Sequence, residues 1–209
     1  MTGTQQFNGK VMVVPVIEDT VDKDTIYQTV TERYFLPRYS VDPNGRKGED
    51  LCILYHSNKI CVVTLARSHP VVREGKQVVK VDFSVSQKLN RLANKATGKG
   101  KKGAQFLQAT SVLCMVECAD GSSYKVYSCL TGKLVEVNER LVDRPQLIEE
   151  RPHAEGFVAI VLPNFKNWEQ QRDKLLTETQ YQEHVKSRTS VQYSAASESE
   201  GNQLQMETG

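Results

Sequence analysis

Between Val112 and Asn138 the chain reads VLCMVECADGSSYKVYSCLTGKLVEVN, two apolar runs joined at Asp120-Gly121 and a third that follows Thr131-Gly132. Asp-Gly favours a tight hairpin, because a type I′ turn needs positive φ at both central residues, which Gly accepts and Asp tolerates. Val112 to Cys118 is almost wholly apolar, and Tyr124, Val126, Tyr127, Val135 and Val137 are aromatic or β-branched. A helix here would have no polar face, so the pattern predicts strands. The expectation is a three-stranded meander built on a type I′ turn.

More strands precede it. Leu51 to Tyr55 and Ile60 to Leu65 are apolar runs separated by His56-Ser57-Asn58-Lys59, which reads as a hairpin. Val78 to Phe83 follows Glu74-Gly75, with Val79, Val81 and Phe83 alternating with Lys80 and Asp82. These runs predict the first half of a two-sheet sandwich and the meander the second. Phe157 to Leu162 predicts a further strand, stopped by Pro163, and Glu139 to Glu150 a loop with at most one helical turn around Pro145. Trp168 to Val185 predicts a helix whose Leu175, Leu176 and Tyr181 form an apolar stripe. That stripe either docks on the sandwich or enters a hydrophobic cleft on a partner.

The first 50 residues are read as an appendage. Met1 to Gly9 is polar and expected to fray, Lys10 to Ile17 is a short strand with Pro15 confining it to an edge, and Asp24-Thr25 caps a helix carrying Ile26, Val30, Tyr34 and Phe35 until Pro37 stops it. From Ser187 onward large apolar residues are few, so burial cannot offset the entropy of ordering, and residues 187–209 are expected to be disordered. Residues 51–186 remain as the folded domain.

The composition, 39% hydrophobic and 25% charged, suits a globular chain. A net charge of +2 gives no support by itself for nucleic acid as partner. The five cysteines, Cys52, Cys61, Cys114, Cys118 and Cys129, include no Cys-x-x-Cys pair and are read as buried reduced thiols; the four histidines lack metal-ligand spacing, so no metal is expected. Val11 to Ile17 is too short for a secretory signal, and no apolar run approaches the ~20 residues of a membrane span. The expectation is a soluble intracellular protein without membrane insertion.

Tyr127-Ser128, Leu130, Gly132, Glu136, Asn138, Leu141, Pro145, Leu147, Gly156 and Phe157 fall in the order and spacing of the glycine cleavage system H-protein, and the chain resembles that lipoyl carrier over about its last third. The resemblance implies a mainly β fold, the barrel-sandwich hybrid of lipoyl and biotinyl carriers. Here it would carry an N-terminal helical appendage and a C-terminal helix. It also implies a carrier lysine at a hairpin tip. Counted back from Gly132, that position is Gly121, so the carrier site is vacant and no cofactor is expected; Lys125, the nearest lysine, lies inside a strand.

A second resemblance covers about Phe7 to Lys186. The runs Asn58 to Pro70, Lys102 to Leu107, Gly132 to Glu139 and Ala159 to Pro163 resemble the actin-binding transcription modulator family, also called Simiate. That resemblance implies a non-enzymatic protein that binds actin monomers and filaments, influences filament assembly in cell projections, and occurs in nuclear speckles as well as cytoplasm. The alternatives are a degenerate carrier-like accessory, or a nuclear scaffold that binds RNA or acidic partners.

No Gly-x-Ser-x-Gly, P-loop or strand-borne Gly-x-Gly-x-x-Gly is present, so no catalytic residue and no small-molecule substrate are expected. Two stretches are candidates for partner binding. Lys95, Lys99, Lys101 and Lys102 make the densest cationic segment, suited to an acidic surface; with no aromatic interleaved for base stacking, nucleic acid is the weaker version. Asp120, Gly121, Ser122 and Ser123 form the expected hairpin tip.

Overall fold

The computed structural model describes residues 21–22 and 24–190 in full, and the backbone alone of Gly3–Phe7 and Lys10–Val14. The expectations for Pro15 and for residues 191–209 lie outside the described residues. Two compact units divide at Arg33 and Tyr34. In the first, β1 (Gly3–Phe7) pairs antiparallel with β2 (Lys10–Val14), so the polar N-terminal stretch forms a strand where fraying was expected. The expected helix after Asp24 shrinks to α1 (Val30–Tyr34) at the boundary of the units. Its cap is Thr29: Glu32 Oε2 accepts from the Thr29 N–H at 2.8 Å while Thr29 Oγ1 accepts from the Glu32 N–H at 3.2 Å, a reciprocal capping box. Ile26, at 97% exposure, faces solvent, so the supposed stripe does not form.

The second unit is a mainly β sandwich, the barrel-sandwich hybrid expected. One sheet has six antiparallel strands in the order β3 (Phe35–Ser40), β4 (Leu51–His56), β5 (Cys61–Leu65), β13 (Ala159–Pro163), β12 (Gly132–Val137), β9 (Phe106–Leu107). The other has three, β11 (Ser123–Tyr127), β10 (Val112–Cys118) and β6 (Val78–Asp82). A small ribbon, β7 (Ser84–Ser86) with β8 (Leu89–Asn90), stands apart. The main core lies between the sheets and takes Leu51, Ile53, Val63, Leu65, Phe83, Leu113, Val116, Leu134 and Val161.

Several sequence expectations change here. The unit begins at β3, so residues 34–50 belong with the sandwich and not with an appendage. Pro37 sits within β3, opposite Leu54, which is permitted because β3 is the edge of its sheet. The expected meander splits: β10 and β11 form the hairpin, but β12 leaves for the larger sheet. The corner at Ser128 to Thr131 makes this crossing, with Cys129 left-handed at φ 57° and Ser128 Oγ donating to the Leu130 carbonyl at 2.8 Å. A bulge between Glu117 and Cys118 breaks the alternation of β6, leaving Val79 half exposed while Val78, Val81 and Phe83 are buried. Pro145 separates two helical turns, α2 (Pro70–Arg73) having come earlier and α3 (Arg140–Asp143) and α4 (Leu147–Glu150) flanking it, where one turn was expected. Pro163 is the last residue of β13, opposite Gly132.

The C-terminal helix is broken. α5 (Trp168–Asp173) ends, the chain extends through Leu176, and α6 covers 178–190. The break lets Leu176 exchange two backbone hydrogen bonds, 2.9 Å each, with Tyr39 on the outer edge of β3. α6 then covers the outer face of β3 to β5, where Tyr181, Leu176 and Val185 join Tyr39, Cys52 and Leu54 in a second core. β4 is therefore buried on both faces, which explains its unbroken run Leu-Cys-Ile-Leu-Tyr. The helix continues past Lys186 and ion-pairs Arg188 with Asp50, so residues 187–190 are ordered where disorder was expected.

Candidate functional site

The four candidate lysines share one structure. Thr97 and Lys102 exchange backbone hydrogen bonds, 3.0 and 2.9 Å, and Lys101 N–H donates to the Gly98 carbonyl at 3.1 Å, so the Gly-Lys-Gly-Lys segment closes as a small hairpin. Gly98 and Lys101 take left-handed φ of 64° and 48°, the first at no cost. Gly103 is also left-handed, at φ 80°, and a Cβ there would lie 2.7 Å from the Lys95 carbonyl oxygen. The base of the segment is fixed to the sandwich. Asn94 Nδ2 donates to the carbonyls of Leu134 and Val135 at 2.9 and 3.1 Å, and its Oδ1 accepts from Gln105 N–H at 2.8 Å. Buried Arg91 donates to the Val112 carbonyl and to Gln105 Oε1. Lys95, Lys99 and Lys102 are exposed and Lys101 half-buried, and none of the four has an acidic partner among the described residues.

Folding adds residues that the lysine spacing does not reveal. Lys133 on β12 donates from Nζ to the Gly100 carbonyl at 2.7 Å, which brings a fifth cation to the hairpin. Phe106, four residues beyond Lys102, is 57% exposed, and Phe165 is 55% exposed after β13. The two rings and Lys99 and Lys133 line one groove, of about 380 Å³. Aromatics are therefore beside the cations after all. Phe106 is readable from its position next to the lysines; Phe165 and Lys133 arrive only through sheet pairing.

The hairpin tip differs from the expected type I′ turn. Cys118 N–H donates to the Ser122 carbonyl and Gly121 N–H to the Cys118 carbonyl, which encloses a three-residue loop, Ala119 to Gly121. Gly121 alone among these is left-handed, at φ 81°, so the connection is a type I turn closed by a Gly bulge. Asp120 is held on both oxygens: Oδ1 accepts from the Ser122 N–H at 2.9 Å, and Oδ2 accepts from Lys76 Nζ at 2.5 Å. The Lys76 ammonium and the Ser122 hydrogen bonds hold the Asp120 carboxyl well below the usual carboxylate range. A Cβ on Gly121 would meet nothing within 4 Å, so the tip is open to solvent. Lys125 lies mid-strand in β11 opposite Met115 and cannot act from the tip. No hydrogen bond or ion pair among the described residues joins Asp120 to Ser123 with the lysine hairpin.

Other chemistry-bearing groups are structural in placement. All five cysteines are unbridged. Burial pushes the Cys52 and Cys61 thiols up to about 12 and Cys129 to about 11, which disfavours the reactive thiolate. No group of three or more His, Cys, Asp or Glu among the described residues could hold a metal ion. No helix of the described residues is long and apolar enough to cross a membrane. The expected apolar stripe is spent on the domain itself, Leu175 against the main core and Leu176 and Tyr181 in the second, which leaves the cleft-insertion alternative without those residues.

A two-sheet carrier fold with a glycine at its tip defines the class, and comparison agrees: residues 69–188 match the family described as Glycine cleavage H-protein. A solved glycine cleavage system H protein from Mycobacterium marinum is similar over 71% of this chain and 95% of its own, at 18% identity and a TM-score of 0.49. The particular branch follows from relatives named Protein Abitram. The Homo sapiens protein is 44% identical over 160 residues, 77% of this chain and 88% of that one. The Drosophila melanogaster protein is 40% identical over 185 residues, 88% and 81%, and the Dictyostelium discoideum protein 34% over 143 residues, 67% and 78%. The chain belongs to the Abitram family.

Proposed function

We propose that this is a non-catalytic binding protein that engages actin, as monomer and filament, and thereby modulates filament assembly. The observation that carries the reading is the lysine hairpin: four cations, three of them exposed and Lys101 half-buried, with no acidic partner among the described residues, on a segment pinned by Arg91, Asn94 and Gln105 to the sandwich. Pinning lowers the entropy lost on docking, so more of the Coulomb attraction survives as affinity. An acidic protein surface such as that of actin is the complementary partner, and the resemblance to the actin-binding transcription modulators points the same way. The carrier scaffold contributes shape alone, because the tip residue is Gly121 and offers no side chain to acylate.

The test is binding of the purified chain to actin, monomer by fluorescence anisotropy and filament by co-sedimentation. Saturable binding of either form is the expected result. Absence of binding to both would reject the reading.

A further inference from the structure

The lysine hairpin borders a groove that its charge does not explain. Phe106, Phe165, Leu162 and Pro163 line it together with Lys99 and Lys133. Both rings are more than half exposed, at 57% and 55%, although burying each would gain roughly 2 kcal/mol. β9 is the last strand of its sheet, and its register pairs Phe106 with Lys133 and Leu107 with Gly132. The Leu134 N–H donates to the Gln105 carbonyl, so the antiparallel alternation makes Phe106 the non-bonded position and turns its N–H and C=O away from β12, toward the open edge.

From this geometry we infer that the groove is a docking site for an extended acidic peptide segment carrying a bulky apolar side chain. The apolar side chain seats between Phe106 and Phe165, the segment's carboxylates meet Lys99 and Lys133, and the Phe106 backbone supplies one donor and one acceptor to the segment's main chain. Charge decides the sign of the partner: Lys59, Lys99 and Lys133 have no acidic partner among the described residues. A single-stranded nucleic acid is disfavoured at Phe165, where Lys59 Nζ lies 5.5 Å from the ring centroid and already holds a face that a base would stack on. The inference rests on reading the adjoining lysine hairpin as a face for an acidic partner, and it adds to that reading what the partner must carry besides charge.

Three fluorescein-labelled probes separate the contributions: a ten-residue peptide of glutamate and serine with two central leucines, the same peptide with serine for leucine, and a ten-nucleotide oligothymidylate. The leucine peptide is expected to bind saturably, and replacing its leucines is expected to weaken it by about tenfold or more. Phe106→Ser with Phe165→Ser in the full chain is expected to cause a loss of the same size, with only a small fall in the unfolding midpoint because more than half of each ring is already exposed. Equal binding of the leucine-free peptide, no effect of the two substitutions, or tighter binding of the oligothymidylate would overturn the proposal. Actin binding by the same proteins, monomer by anisotropy and filament by co-sedimentation, keeps the two readings apart. Peptide binding without actin binding upholds the groove and rejects actin, whereas actin binding without peptide binding rejects the groove and leaves the actin reading standing.

Discussion

Arg188, in the last turns of α6, forms a salt bridge with Asp50 at the foot of β4, a carboxylate with 0% side-chain exposure. The same carboxylate accepts from the hydroxyls of Tyr181 and Ser68 at 2.9 Å each and from the Asp42 N–H at 3.1 Å. Removing Arg188 leaves a buried negative charge held by neutral donors alone, so Arg188→Ala is expected to cost about 2–4 kcal/mol. A chain ending at Lys186 should lose at least as much, since it lacks the arginine and the end of the helix. Denaturant unfolding of the two variants measures this; a change below about 0.5 kcal/mol would mean that α6 is not held by this pair.

His69 gives the fold a pH dependence. Its ring is buried against Tyr124, Nδ1 accepts from the Val71 N–H at 3.2 Å to cap α2, and Nε2 has no hydrogen-bond partner among the described residues. Burial pushes its pKa down to about 4. Above pH 6.5 the ring is neutral in folded and unfolded chains alike. Between 6.5 and about 4 only the unfolded chain takes the proton, so stability falls as pH falls, by up to about 3 kcal/mol, and this loss ends below about 4. His69→Asn keeps a capping acceptor and should flatten the slope of stability against pH in that window.

Asp50 acts lower on the scale. Burial pushes its carboxyl up, but the Arg188 guanidinium, the Asp42 N–H and the Tyr181 hydroxyl more than offset this and leave it below the usual carboxylate range. Its contribution is therefore present above about pH 4 and lost as pH falls through the folded value. Arg188→Ala leaves burial to push the Asp50 carboxyl up with less to oppose it, so it should reduce or reverse this acid limb, which stability curves from pH 7 to 2 would show.

The glycines predict opposite tolerances. At Gly156 a Cβ would lie 1.9 Å from the Leu147 carbonyl oxygen and 2.8 Å from that of Arg151, both backbone atoms that cannot step aside. Gly156→Ala should cost about 3 kcal/mol or fail to fold. Gly121→Ala meets open space and pays only for its left-handed φ, about 1 kcal/mol. Thermal unfolding of both variants separates close packing from turn strain.

A related prediction concerns the vacant tip. Co-expressed with a lipoate ligase, the full chain should keep its unmodified intact mass, because Lys125 is held mid-strand opposite Met115. A gain of one lipoyl group would revive the carrier-accessory alternative.

What was legible in the sequence was local. The β4–β5 hairpin forms around His56 to Lys59 as read, with Lys59 left-handed at φ 72°. The residues behind the H-protein likeness prove to be structural: Gly156 packs on the Leu147 carbonyl, Asn138 Nδ2 donates to the carbonyls of Glu155 and Phe157, and Leu130, Leu141 and Leu147 are buried. These residues specify the fold, which is why the likeness reached the architecture. What was not legible depends on contacts far apart in sequence. The break before α6 follows from the pairing of Leu176 with Tyr39, and the crossing of β12 into the larger sheet from its partners β13 and β9. Of the candidate site, the lysines were visible as a cluster, whereas Lys133 and Phe165 join it only when β12 and β13 lie side by side.

The proposed contact for actin is the lysine hairpin. Co-sedimentation with filaments at low and physiological salt, for the full chain and for a variant with Lys95, Lys99, Lys101 and Lys102 changed to alanine, tests it most directly. Binding is expected to weaken as salt screens the charges and to fall by about tenfold or more in the variant. Binding that is indifferent to salt and undiminished by the four substitutions would contradict it.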